Sequence, residues 1–371
     1  MRRLALGRQT LAHAYTVLVL AACTNMDPIS PRGSVVAPTA AVAAAGPTVT
    51  TIGNIIGYGV NDAGTIVGPS DGNRSSAYLW DAAVGLKLVA TDGLAWDVSQ
   101  DGLAIGGKNA AGKPVLWTSA SVGSARAELA LPDAGFGGAV RAIISGSDGS
   151  PVLMTGNVFT NGTNKTPARW SRCTTEPGCL NGWLLATVTP ASPIAEAWGQ
   201  DINPAGMIVG MEGTGCCRAA FWDSDGTQTV LTPLVAGAAA AAWGINDAGT
   251  VIVGQSNDVA VMWTRSSSTA PFTAPPIPLG AGTCKGQFTS IAYGVNRDLE
   301  SAGTIVGQAC GKPIAWKVNI APGGPPTIQV VMLPSSGKST SGAAYSINRS
   351  TSTSHRIAGQ VNGTGVYWTG F

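Results

Sequence analysis

The chain predicts an all-β fold: a seven-bladed β-propeller of four-stranded antiparallel blades, the last blade closed by the N-terminal strand. Three observations predict it. First, a unit recurs along the chain and ends in each copy on a tryptophan: Trp80, Trp117, Trp170, Trp222, Trp263, Trp316 and Trp368. Their spacing, roughly forty to fifty residues, is that of a propeller blade. Second, 371 residues with 50 Gly and only 11% charged side chains carry turn signals throughout and no long helical period. Third, the last copy lacks a strand after Trp368, while a spare strand, Thr48-Val49-Thr50-Thr51-Ile52, precedes the first copy.

Each element of the unit has a physical reason. Strand 1 reads small, aromatic, small, branched, Asn, as in Ala242-Trp243-Gly244-Ile245-Asn246. The aromatic is Tyr58, Trp96, Trp198, Trp243, Tyr293 or Tyr345, with Val140 in the third copy, and a small residue precedes it every time: Gly57, Ala95, Ala139, Ala197, Ala242, Ala292, Ala344. Strand side chains alternate between faces. That places Trp243 and Ile245 on a bulky face and Ala242 and Gly244 on a flat one, so blades nest bulk into flat. Burying each large side chain is worth about 1.5–3 kcal/mol. A hairpin turn follows, Asn61-Asp62-Ala63-Gly64 or Asn246-Asp247-Ala248-Gly249, in which Asn and Asp cap the turn and Gly takes φ > 0. Gly102, Gly206 and Gly303 are read into the same position, and the sixth and seventh turns are lengthened through Asp298-Leu299-Glu300 and residues 350–355.

Strand 2 is an aliphatic run ending in Gly, strand 3 an apolar run ending in the repeat Trp. Strand 4 is the least regular and is expected at 86–89, 127–131, 184–188, 229–234, 276–279 and 328–333. The segment 48–52 supplies the missing fourth strand of the seventh blade. Such closure removes the exposed edges of an open array.

Ahead of this domain (47–371) lie two further segments. Residues 1–22 read as a secretory leader: Arg2, Arg3 and Arg8, then an apolar run over 10–22 too short to span a bilayer. The run ends Leu20-Ala21-Ala22-Cys23, which resembles the lipobox of bacterial lipoproteins. The resemblance implies lipidation of Cys23, stable anchoring to the membrane and, with Thr24 following, an outer-membrane address. Residues 23–46, rich in Pro, Ala, Gly and Ser, read as a flexible tether. Losing the leader removes three arginines and no acid, turning the formal +2 into −1. No basic stripe remains for nucleic acid.

Candidate chemistry is sparse. Export permits disulfides, and Cys173 with Cys179 sits in one loop, while Cys284 and Cys310 are expected on loops of one propeller face, close enough to bridge. Cys216 and Cys217 are adjacent, as a strained pair or as thiols. Only His355 remains outside the leader, against triad and zinc chemistry. Asp223-Ser224-Asp225-Gly226 lacks the closing Glu of a calcium loop and reads as a turn. No catalytic residue, metal ligand or cofactor is nominated. Gln255, Gln308 and Gln360, with Asn73, Asn257 and Asn362, are read into the loops between strands 2 and 3, where a ring of amides could hydrogen-bond protein or glycan.

The unit from Trp243 to Trp263 and that from Tyr58 to Trp80 resemble the HAF repeat of bacterial extracellular proteins, over roughly 47–371. The resemblance implies an exported repeat protein of propeller type and brings no catalytic residues. The expected function is a non-enzymatic, membrane-anchored binding or scaffolding module for protein or glycan. The alternative is a carbohydrate-active hydrolase or lyase with carboxylates at the channel mouth, where Asp97 and Asp201 are the acids nearest strand 1.

Overall fold

The computed structural model describes residues 46–370, except 71–74, 119–126, 133–136, 161–163, 189–195, 214–216, 281–288, 322–323, 336–340 and 350–354. Its described elements are all strands, grouped as seven four-stranded antiparallel sheets. Six blades run in chain order from the axis outward, as in Ala240–Ile245, Val251–Ser256, Val259–Thr264 and Ile277–Pro278. The seventh is composite. Thr48–Gly53 lies outside Thr364–Thr369, pairing Thr48 with Thr369 and Val49 with Trp368. First strands pack on the first strands of both neighbours, and Gly59–Val60 packs on Gly342–Ile347, so the ring is shut.

The nesting of blades follows a different logic from simple alternation. The first strand carries a β-bulge in six blades, where the register skips Trp96, Arg141, Gln200, Trp243, Tyr293 and Tyr345. A bulge re-aims the extra side chain. Trp243 therefore lines the central channel, while Ala242 and Ile245 share a core cluster with Trp263, Val209 and Phe221 of the preceding blade. The bulky face is thus supplied by Ile245 and the strand 3 Trp, not by the strand 1 aromatic. The register also corrects two copies. Arg141, not Val140, stands at the bulge in blade 3, and Gln200, not Trp198, in blade 4.

The bulge explains the Gly that ends strand 2. A Cβ on Gly254 would lie 2.0 Å from the Ala241 carbonyl oxygen, and one on Gly307 1.9 Å from that of Ile291. Gly107, Gly156, Gly210 and Gly359 meet a first-strand carbonyl in the same way, and Gly68 meets that of Ile56, just ahead of the strand Gly59–Val60.

The choice of Trp over another large apolar residue has its own cause. Trp170, Trp222, Trp263, Trp316 and Trp368 are each at most 1% exposed. In four of them the indole N–H donates to a carbonyl between the preceding blade's strand 4 and the next strand 1: Ala130 (3.0 Å), Thr232 (2.7 Å), Gly280 (2.8 Å) and Pro334 (2.7 Å).

Turn asparagines also latch blades. Asn61 Oδ1 accepts the Thr65 N–H at 2.8 Å while its Nδ2 donates to the Ser99 carbonyl of the next blade at 3.0 Å. Asn203, Asn246 and Asn296 repeat this across the next three such joints, to the carbonyls of Asp247, Leu299 and Asn348. All are buried. Gly64, Gly102, Gly206 and Gly249 take positive φ as expected. Gly303 does not; it lies within the strand Ala302–Ala309, and the sixth turn closes instead by Leu299 N–H to the Asn296 carbonyl.

Candidate functional site: the axial cavity

The re-aimed side chains converge on the ring axis, where a cavity of about 130 Å³ is lined by residues of all seven blades. One layer is aromatic. Trp243, Tyr293, Tyr345 and Tyr58 form an arc over four successive blades, with ring centroids 5.7, 5.1 and 5.0 Å apart. These tilted and edge-to-face contacts are the geometry aromatic quadrupoles prefer. Burial, and then Tyr345 and Tyr58, push the Tyr293 hydroxyl pKa well up, so it stays a neutral phenol. Blades 2 and 3 complete the layer differently: the Arg141 guanidinium lies over the Trp96 ring, 4.2 Å from its centroid.

A second layer is charged. Asp97 and Asp201 occupy equivalent places after the bulge in blades 2 and 4, and both line the cavity. Each is a double acceptor that ties its blade to the next. Asp97 takes the N–H of Val98 (2.9 Å) and of Ile143 (2.7 Å); Asp201 takes those of Ile202 (2.9 Å) and Ile245 (3.0 Å). Arg297, two blades on, donates to Asp201 Oδ1 at 2.7 Å and to the Ile202 carbonyl at 2.6 Å. Arg349 pairs in the same way with Asp247. Burial raises the Asp97 pKa to about 6, offset in part by the two backbone N–H bonds and then by Arg297. Arg297, though buried, has its pKa raised because Asp201, Asp247 and Asp97 surround it.

The structure separates the amides that the sequence groups in loops. Gln255, Gln308 and Gln360 are equivalent, each following the strand 2 Gly, but they are strand residues opposite Ala241, Ile291 and Ala343. Gln255 is buried, and Gln360 Nε2 lies 3.0 Å from the Tyr345 hydroxyl oxygen. Asn257 and Asn362 do sit in strand 2–3 turns, with φ of 50° and 51°. Asn tolerates that left-handed backbone better than most residues, so turn geometry accounts for its recurrence there. Asn73 lies outside the described residues.

Cys173 and Cys179 form a disulfide with Cα atoms 5.9 Å apart. Cys310 is also disulfide-bonded; the expected pairing with Cys284 falls outside the described residues, as do Cys23 and Cys216. Cys217 is a buried thiol packed near Met211, Trp198 and Trp243. The one described group of potential metal ligands in close array is Cys173, Glu176 and Cys179. Its sulfurs are joined to each other, so neither is a thiolate. Asp223 and Asp225 cap a turn through the N–H groups of Ser224 and Thr227.

Sequence reading missed Arg141, Arg297 and Arg349. A signal was present. Arg297 and Arg349 follow the turn Asn where the first and fifth copies carry Asp62 and Asp247, and that exchange of sign at one register is what pairs blade 7 with blade 5. Arg141 stands where the other first strands place an aromatic or Gln200.

No family model matches the chain, and no curated protein matches it. Solved structures similar to it are propeller-scale in coverage and remote in sequence. The Myceliophteria thermophila Cps50 (Swd1) β-propeller domain is 8% identical, with a TM-score of 0.48 over 88% of this chain and 98% of that one. An oligogalacturonate lyase in complex with manganese is 12% identical, with a TM-score of 0.44 over 88% and 90%. Saccharomyces cerevisiae Sqt1 is 9% identical, with a TM-score of 0.40 over 84% and 82%. At this distance they carry no argument about activity. The strand pairing itself defines the chain as a seven-bladed β-propeller.

Proposed function

We propose that the protein is a non-enzymatic binding or scaffolding module for protein or glycan, exported and held at the bacterial envelope by lipidated Cys23, at the outer membrane. One observation carries the non-enzymatic reading: the carboxylates at the axis are already engaged. A general acid or base needs an oxygen free to exchange a proton with substrate. In Asp97 and in Asp201 one oxygen accepts the next N–H of its own strand and the other an N–H of the following blade, and Asp201 also holds Arg297. The cavity, at about 130 Å³, is also well below the ~300–1,000 Å³ of ordinary small-molecule sites.

Export is supported by the leader-like residues 1–22 and by the Cys173–Cys179 disulfide, since disulfides persist in oxidising compartments. Among the described residues no helix is long and apolar enough to cross a membrane, so the lipid on Cys23 is the anchor in this reading. The test combines metabolic labelling with palmitate and a screen of the chain against glycan arrays and envelope proteins. Labelling abolished by Cys23→Ala, with retention of a protein or glycan and no turnover of it, supports the reading. Depolymerisation of a bound glycan would replace it with the hydrolase or lyase alternative.

A further inference from the structure

The axial cavity contains a cation that the fold does not neutralise. The charged groups lining it are Asp97, Arg141, Asp201, Arg297 and Arg349. Arg297 is matched by Asp201 and Arg349 by Asp247. The oxygens of Asp97 are taken by the N–H groups of Val98 and Ile143. Arg141 has neither ion pair nor hydrogen bond among the described residues; its Nε is buried and unpartnered, and its contact is the Trp96 face. Lys108 reaches the same ring at 5.9 Å, adding positive charge rather than cancelling it.

A second lining residue also carries an orphaned donor among the described residues. The Nε1 of Trp243, another lining residue, is buried without an acceptor. Buried donors without partners are costly, each by the desolvation it does not recover. Two unpaired donors, one of them a full charge, call for a ligand that only accepts. A carboxylate is such a group: two oxygens, no donor, and a shape the guanidinium fork matches.

We propose that the axial cavity binds a carboxylate group, seated on Arg141 with Trp243 Nε1 as an additional donor. This goes beyond the reading of the propeller as a platform and stands or falls separately from it. The ligand's anionic end is small, because the cavity of about 130 Å³ has no room for a polymer. It is either a free short-chain acid or the carboxylate of a uronic acid sugar reaching in from the mouth. Burial has already pushed the Arg141 pKa down to about 10, a sign of how poorly solvent serves this cation and how much an anion would gain there.

The experiment titrates the full chain with sodium acetate, sodium glucuronate and glucose at constant ionic strength. It follows tryptophan fluorescence, since Trp96 and Trp243 line the site, and isothermal calorimetry. Saturable binding of either carboxylate and none of glucose is expected. Acetate and glucuronate together identify a free acid site; glucuronate alone identifies the sugar. Arg141→Gln should weaken binding by tenfold or more, about the worth of one charge-assisted hydrogen bond. Trp243→Phe keeps a ring and removes only the donor, so it should weaken binding several-fold whether or not the first variant folds. Binding of glucose equal to glucuronate, no saturation with either carboxylate, or variants that bind like wild type would overturn the proposal. Such a failure leaves the envelope-module reading intact, whereas turnover of glucuronate oligomers would sink that reading and not this one.

Discussion

Replacing Gly254 by Ala tests the bulge that organises six of the seven blades. The added Cβ would sit 2.0 Å from the Ala241 oxygen and 3.0 Å from both the Ala241 carbonyl carbon and Ala242 Cα. Those atoms are backbone of a paired strand, with Ala242 opposite Gly254, so no side-chain rotation relieves the overlap. The strands must separate by an ångström or more. Overpacking of a tight core costs about 1–3 kcal/mol, and a weakened ladder bond adds about 1 kcal/mol. At ~2–4 °C per kcal/mol for a large domain, the midpoint should fall by roughly 4–16 °C. Gly324→Ala is the matched control, because its nearest neighbour, Ala321 Cβ, is 3.6 Å away. Thermal melting by circular dichroism of the two variants decides the matter. If Gly254→Ala melts with Gly324→Ala, the bulge does not require Gly and the account of strand 2 is wrong.

Further outcomes follow from the same geometry. Removing residues 47–53 should lower the melting midpoint drastically, because the strand Thr48–Gly53 covers the edge of Thr364–Thr369 and buries Ile52; an unchanged midpoint would refute the composite blade. Trp263→Phe should cost about 1 kcal/mol more than Trp222→Phe in urea unfolding: both side chains are fully buried and leave a similar void, but only Trp263 loses an N–H bond, to Thr232, the Trp222 indole nitrogen having no partner among the described residues; equal costs would contradict the role given to that bond. Asp97, held in the folded chain at a pKa of about 6 against an ordinary 3.8, binds its proton more tightly folded than unfolded. Stability should therefore fall as pH rises from about 4 to 6, by about 2–3 kcal/mol from this group. The difference in unfolding free energy between wild type and Asp97→Asn should change across that window and stay flat above it; a difference that does not vary with pH would contradict the buried-acid assignment.

Architecture was legible because it rests on local chemistry repeated in register. The spacing of Trp80 to Trp368, the small residue before each strand 1 aromatic, and the spare strand at 48–52 each correspond to a feature of the ring. The aim of the strand 1 side chains was not legible. A bulge breaks the two-residue period, and nothing in the string Ala242-Trp243-Gly244 marks where the register slips. The strand 2 Gly was the missed clue, since seven glycines opposite a strand imply seven close approaches. Without the bulge, Arg141 could not be placed among aromatics, and Gln200 was hidden behind the nearby Trp198. Long-range pairs such as Arg297 with Asp201 depend on the closure of the ring, so their partners could be named only once the blades were counted around the axis. The placement of the amides was hidden for the opposite reason: Asn257 and Asn362 sit in turns with positive φ, a backbone cause of recurrence that residue types alone do not reveal, while the glutamines lie in strands.

The central claim is that one ring holds the chain together by joining its first strand to its last. Thr48 and Thr369 face each other with Oγ1 atoms 2.9 Å apart, 321 residues distant in sequence. Cysteine at both positions, mapped by nonreducing mass spectrometry under mild oxidation, is the most direct measurement. The account predicts a Thr48→Cys to Thr369→Cys crosslink within monomers, in good yield and with the melting midpoint preserved or raised. Free thiols at both sites, or crosslinks only between molecules, would contradict it.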